Sequence, residues 1–282
     1  MRLILLLSCV DKPGLVSRIS SFIYDYGGNI HSLDEHADGQ ESQFFIRVEW
    51  STLNKENSLS KIKKAFSGLA NEFNAEWEIR DKEKKLCVAI FVSKYDHCLR
   101  EILWRHESGD LPIDIPLIIS NHPDLSSIAE QHKIPFHVFS INSDTKLEQE
   151  KNENDLLNAN GIDLIVLARY MQVLSSQFVN LYKNRIINIH HSFLPAFIGG
   201  DPYKQAYDRG VKIIGATSHY VTSDLDEGPI IEQGTARISH RESKQDLVRK
   251  GRDVERLVLA RGLDLHCNHR VLVSGSKTIV FA

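Results

Sequence analysis

The chain has 282 residues, with 34 Lys and Arg against 37 Asp and Glu and a formal net charge of −3. Hydrophobic types at 42% and charged types at 25% are the mix of a folded globular protein, which excludes disorder, and the length predicts about two domains. Split at residue 80, the charge divides into roughly −2 and −1, so no basic region offers itself to nucleic acid or a membrane surface.

The apolar run Leu3–Leu7 follows Met1-Arg2 and leads into Cys9-Val10-Asp11-Lys12-Pro13-Gly14. It lacks a small-residue cleavage site, so a first strand, Leu3–Val10, is expected rather than a leader. Val16, Ile19, Phe22, Ile23 and Tyr26 recur at helical spacing, and Gly27-Gly28 ends that helix. Strands are expected at Asn29–His36 and Gln43–Trp50 with a turn near Asp38-Gly39, then a helix over Ser58–Phe73 and a strand over Ala75–Arg80. The charged run Asp81–Lys85 reads as a linker.

From Leu86 the pattern alternates. Strands are expected at Leu86–Val92, Pro116–Ser120, Pro135–Phe139, Asp163–Leu167 and Ile186–His190. Helical segments lie between them near Leu99–His106, Leu125–His132, Lys146–Asn160 and Ser175–Tyr182. That alternation predicts a Rossmann-like, mostly parallel sheet with helices on both faces. Two more strands, Ile213–Val221 and Pro229–Arg237, precede a helix over Lys244–Leu265 and a terminal hairpin, Val271–Phe281, turning at Ser274-Gly275-Ser276. The domains expected are therefore 1–80, a linker 81–85, and 86–282. No apolar run approaches the ~20 residues of a membrane span. Four dispersed cysteines (Cys9, Cys87, Cys98, Cys267) without a C-x-x-C pair predict free thiols in a reducing compartment, the cytoplasm.

Two clusters carry the unusual chemistry. Asn188-Ile189-His190-His191-Ser192-Phe193-Leu194-Pro195 sits at the carboxyl end of an expected strand, where open α/β sheets place ligands. Asn188 and His190, two apart, share a face. An amide beside an imidazole can hold a carbonyl oxygen while a proton moves, although two polar side chains bonding a loop would look the same. The second cluster is Gly215-Ala216-Thr217-Ser218-His219-Tyr220-Val221 followed by Asp224-Leu225-Asp226-Glu227-Gly228-Pro229. Taken alone it reads first as a surface hairpin, the other reading being a source of a carboxylate, Asp226, that reaches His190 after one helical crossover between adjacent strands.

Together with Leu194-Pro195-Ala196-Phe197 and Gly228-Pro229-Ile230-Ile231, these motifs resemble the folate-dependent formyltransferase family. The resemblance implies a catalytic trio of Asn188, His190 and Asp226. The run Val166-Leu167-Ala168-Arg169-Tyr170-Met171-Gln172-Val173-Leu174-Ser175 resembles the family's folate-pocket segment, which implies folate contacts from Arg169, Met171, Gln172 and Leu174, with Val221 and Asp224 beyond them. The first eighty residues, with Asp11-Lys12-Pro13-Gly14-Leu15-Val16 and Gly27-Gly28-Asn29-Ile30, resemble the ACT small-ligand module, a βαββαβ ferredoxin-like fold.

An ACT module ahead of a formyltransferase-like domain is the arrangement of the deformylase branch of that family. Members of that branch hydrolyse 10-formyltetrahydrofolate to formate and tetrahydrofolate in one-carbon and purine metabolism. The folate is then substrate, and neither cofactor nor metal is implied. The competing reading is transfer of the formyl group to an amine such as glycinamide ribonucleotide. It requires a Gly-rich phosphate cradle after the first strand of the domain, whereas Val92-Ser93-Lys94-Tyr95-Asp96-His97-Cys98 has no glycine. A non-catalytic folate or amino-acid sensor is the third reading.

Lys94, Asp96 and His97 are expected to border the site or to be ordinary surface charge. His190 and His191 are expected to face opposite ways on a strand, and with no H-E-x-x-H or paired-cysteine spacing no metal site is expected. Cys98 reads as a buried small hydrophobe. The stretch Gly200-Asp201-Pro202 carries an acid where the deformylases usually have a basic residue, which predicts altered charge at the site entrance. The resemblance further implies a possible amino-acid effector, methionine or glycine, at the front module, and the apolar strand Leu3–Val10 suggests pairing between chains into a homo-oligomer.

Overall fold

A computed structural model describes residues 1–52, 58–142, 144–196 and 202–281, so the Asp201 expectation lies outside the described residues. Two units separate at Lys85/Leu86. The first contains β1 (Arg2–Val10), α1 (Leu15–Asp25), β2 (Gly28–Asp38), β3 (Gln43–Thr52), α2 (Leu59–Phe73) and β4 (Glu76–Asp81). Its strands pair antiparallel in the order β2-β3-β1-β4. Leu3, Leu5 and Leu7 pack against Ile19, Ile62 and Phe66 on one face of that sheet. Ser58 caps α2, accepting from the Lys61 amide at 3.3 Å, and Asn74 closes the helix in the left-handed conformation.

The expected assignment of 86–282 to one domain is corrected at its end: Asn268–Ser274 and the residues from Ile279 onward group with the first unit. Alternation gives the reason. Leu6 and Phe45 lie on the sheet face away from the helices, and Phe281, with Leu272 and Ile279, buries them. Arg47 Nε donates to His269 O at 2.9 Å across the same surface. A run such as Leu3–Leu7, buried on both faces, needs a cover on each side. The apolarity that suggested pairing between chains is thus consumed inside the chain, and β1 is a central strand, not an edge.

The second unit follows the expected alternation. In chain order its elements are β5 (Leu86–Val92), α3 (His97–Ser108), β6 (Ile113–Ser120), α4 (Ser126–Gln131), β7 (Phe136–Val138), α5 (Lys146–Ala159), β8 (Leu164–Leu167), α6 (Ser176–Leu181), β9 (Ile186–His190), α7 (Pro202–Asp208), β10 (Ile213–Tyr220), β11 (Ile230–Arg237) and α8 (Lys244–Cys267). The hairpin β12 (Val271–Ser274) and β13 (Lys277–Val280) follows. The sheet order is β11-β10-β9-β8-β5-β6-β7, parallel from β7 to β9.

Two details depart from expectation. β10 runs antiparallel to both β9 and β11, so β9 and β10 are neighbours without the parallel crossover expected between them. The helix α7 also carries no periodic signal, being seven residues long with Pro202 opening its first turn. α8, by contrast, buries Leu247, Gly251, Glu255, Leu259 and Leu263, every fourth residue of one face. Gly251 is required there: a Cβ would stand 2.0 Å from the Tyr203 hydroxyl. Among the described residues no disulfide joins Cys9, Cys87, Cys98 or Cys267. Among the described residues no helix is long and apolar enough to cross a membrane.

Candidate active site

The antiparallel register of β9 and β10 builds the site. His219 stands opposite Asn188, and Thr217 stands opposite His190, so the four side chains share one sheet face at the carboxyl end of β9. The loop from β10 to β11 then turns back through Asp226, whose φ of 58° is left-handed, a conformation that Asp tolerates better than most residues. Gly228 makes that return possible, because a Cβ there would sit 1.7 Å from the Tyr220 carbonyl oxygen. The result brings Asp226 Oδ2 to 3.2 Å from His190 Nδ1 and Asp226 Oδ1 to 3.7 Å from His219 Nε2. The three residues predicted as a trio therefore converge.

The hydrogen bonds assign the protons. His219 Nδ1 donates to the Tyr220 carbonyl at 2.9 Å, which leaves its Nε2 to accept from Asn188 Nδ2 at 3.2 Å. Burial lowers the pKa of His219, so the ring is neutral and can play that part. Burial acts to raise the Asp226 carboxyl, but the His190 hydrogen bond and the neighbouring imidazoles outweigh it and hold the group below its ordinary value. His190 Nε2 is buried with no hydrogen-bond partner among the described residues. An orphaned polar atom of this kind costs stability unless a ligand or water meets it, and His190 is one of the residues that line a cavity.

A cavity of about 330 Å³ opens in front of these groups. Arg169, Met171, Gln172, Leu174 and Val221 line it, as expected from sequence, and Asp224 does not: it is exposed, and its carbonyl accepts from Thr222 Oγ1 at 3.0 Å. The segment from Ala168 to Ser175 is held at several points. The Ala168 amide donates to Phe91 O at 2.8 Å, the Met171 amide to Ser93 Oγ at 2.9 Å, and the Ser175 amide to Glu150 Oε1 at 2.8 Å. Between those anchors Met171 and Val173 stay more than half exposed, apolar surface that a flat aromatic ligand would cover. Tyr170 stacks edge-on against Phe91, and its hydroxyl donates to Glu153 Oε1 at 3.3 Å. Glu153 is fully buried on α5, and burial pushes its carboxyl up to about 7.

Lys94, Asp96 and His97 do not line the cavity. Lys94 is exposed, Asp96 is taken by Arg100 Nε at 2.6 Å, and His97 Nε2 lies 2.8 Å from Glu255 Oε2. Their loop reaches the site indirectly, since the Tyr95 ring lies 5.2 Å from the Arg169 guanidinium. The hub is Glu255, which the sequence reading missed. It hydrogen-bonds His97 and the Tyr203 hydroxyl and forms an ion pair with Arg169, whose Nε lies 3.4 Å from Oε2 without a hydrogen bond. Burial acts to raise its carboxyl, but the His97 hydrogen bond and the Arg169 charge keep it lowered. Its signal was an acid on the four-residue repeat of the apolar stripe of α8.

His97, Cys98 and Glu255 also bring three potential metal-ligand atoms within 4.8 Å of one another. Glu255 already has three partners, one of them cationic, and burial with the Glu255 charge pushes the Cys98 thiol well up, so these groups fit a closed structural network better than a cation. The expectation that His190 and His191 face opposite ways is corrected. β9 ends at His190, alternation stops there, and both rings line the cavity with centroids 5.2 Å apart.

Comparison with known proteins supplies the family. A formyl transferase family model matches residues 86–263 and an ACT domain model matches residues 3–71. A formyltetrahydrofolate deformylase of Synechocystis sp. is 54% identical over 99% of this chain and 98% of its own length. The deformylase of Bacillus subtilis is 48% identical over 98% of this chain and 93% of its own. The crystal structure of a formyltetrahydrofolate deformylase from Pseudomonas syringae pv. tomato superposes with a TM-score of 0.97 at 44% identity, covering all of this chain and 95% of that one. With both domains matched in order and the whole length covered, the chain belongs to the formyltetrahydrofolate deformylase family.

Proposed function

We propose that the protein hydrolyses 10-formyltetrahydrofolate to formate and tetrahydrofolate. The observation that carries this reading is the meeting of Asn188, His190 and Asp226 on the wall of one cavity of about 330 Å³, in a chain 54% identical to a formyltetrahydrofolate deformylase. The pterin lies along the Ala168–Ser175 segment, where Met171 and Leu174 supply apolar surface and the backbone supplies polar recognition. The formyl oxygen is held by the second amide hydrogen of Asn188, whose first is committed to His219, and by Nε2–H of His190.

Asp226 Oδ2, 3.2 Å from the other ring nitrogen of His190, holds that ring in place, so the charge developing on the formyl oxygen meets a preorganised donor. Losing one donor of this kind typically costs about 2.7–4 kcal/mol of barrier. The reaction needs water and the chain's own side chains, without metal or nucleotide. Incubation with 10-formyltetrahydrofolate alone tests it: tetrahydrofolate absorbance and released formate are expected to rise together, and turnover only after addition of an amine overturns the proposal.

The first unit is the proposed regulatory part, in which an ACT module pairs between chains and takes an amino-acid effector. The match of residues 3–71 to the ACT domain model supports this. Sedimentation at micromolar concentration tests the pairing, and titration with methionine and with glycine tests the effector. Four cysteines with no disulfide among the described residues support the cytoplasm as the working compartment.

A further inference from the structure

His191 is a titratable group on the cavity wall that the scheme above leaves unused. Its ring centroid lies 5.2 Å from that of His190 and 6.0 Å from that of Tyr203. Neither of its ring nitrogens hydrogen-bonds to a described residue, whereas His190 and His219 are each engaged through at least one nitrogen. The segment that carries it is fixed from both sides, because Thr217 Oγ1 donates to Ser192 O at 2.9 Å and accepts from the Leu194 amide at 3.1 Å. The charged and titratable groups around it are His190 of β9, Asp226 of the β10–β11 loop, Arg169 after β8, Tyr203 of α7 and Glu255 of α8. Burial first, and then the Arg169 charge, lower the pKa of His191 to about 4, so its lone pair stays free across the neutral range. Asp226 is already engaged, with Oδ2 3.2 Å from His190 Nδ1 and Oδ1 3.7 Å from His219 Nε2.

Resting on the deformylase reading, we infer that His191 binds the attacking water and takes its proton. The water oxygen bonds to the formyl carbon as one of its protons passes to the free nitrogen of His191. The carbonyl π pair moves onto the formyl oxygen, held by Asn188 and His190. When that pair re-forms the double bond, the carbon–N10 bond breaks with its electrons, and N10 takes the proton back from the His191 imidazolium. Formic acid and tetrahydrofolate leave, and His191 is neutral again.

The test uses the full-length protein, with His191→Gln and His191→Gly beside it. Both variants are expected to lose about 10²–10⁴-fold in kcat, the usual span for a general base. Tetrahydrofolate affinity, read by fluorescence quenching, is expected to stay within threefold. Added imidazole is expected to restore at least tenfold of the His191→Gly loss, in proportion to its neutral form. A kcat within threefold of the parent in either variant overturns the inference. So does a parallel loss of affinity, or a loss of kcat that imidazole does not restore. If the parent itself turns over no 10-formyltetrahydrofolate, it is the deformylase reading that fails, and the two outcomes stay distinct.

Discussion

Asp226→Asn isolates the electrostatic half of the proposed mechanism. The change is nearly isosteric, and asparagine accepts the left-handed backbone at φ 58° as readily as aspartate does, so the loop keeps its path. What is lost is one negative charge 3.2 Å from His190 Nδ1 on a side chain 9% exposed. Two unit charges near 4 Å interact by about 4 kcal/mol at an effective dielectric of ~20. Some screening from the open cavity brings the expected loss to about 3–4 kcal/mol, or roughly 10²–10³-fold in kcat. Affinity for tetrahydrofolate should hardly move, since no folate contact is assigned to the carboxylate itself. Asp226→Ala adds a backbone penalty of about 1–2 kcal/mol for a left-handed alanine, so a thermal melt should show it less stable than Asp226→Asn. Initial rates of tetrahydrofolate formation decide the matter. Asp226→Asn working within tenfold of the parent would refute the claim that this carboxylate supports His190 in the reaction.

Other perturbations address the surroundings. Burial pushes the Glu153 carboxyl up to about 7 in the folded chain from an ordinary 4.5, so the folded chain holds the extra proton between those values and stability falls as pH rises through them. Glu153→Gln is therefore expected to gain up to about 3 kcal/mol over the parent at pH 8 and almost nothing at pH 4.5, in urea unfolding at both. Equal gains at both pH values would argue that the buried charge is not the cause. Glu255→Gln removes the charge shared by His97, Tyr203 and Arg169. Breaking such a buried pair costs about 3–5 kcal/mol, and a melting temperature within about 2 °C of the parent would contradict the hub role. Gly228→Ala drives a methyl into the Tyr220 carbonyl and is expected to cost about 1–3 kcal/mol and to depress kcat by displacing Asp226. An unchanged melt with unchanged turnover would show that the loop can relax.

Much of this protein was legible without coordinates. Alternation and periodicity located nearly every strand and long helix, because these segments are buried on a regular face and hydrophobic spacing records that. Asn188 and His190 share a face simply because they are two apart on a strand. Asn188, His190 and Asp226, and the Arg169–Leu174 segment that lines the cavity, stood out in the sequence as ordered motifs. Tertiary structure alone decided what register and long-range closure control. His219 meets Asn188 only through the antiparallel pairing of β9 and β10, and no local propensity encodes which residues of two strands stand opposite. His191 joins the cavity because β9 stops one residue earlier, which ends the alternation that had turned it away. Phe281 returns to cover Leu6 and Phe45, a pairing 275 and 236 positions apart by residue number (281 − 6 and 281 − 45), which answers to the need of a two-faced apolar strand for a second lid. Sequence spacing states which surfaces must be buried, whereas only the folded chain determines what buries them.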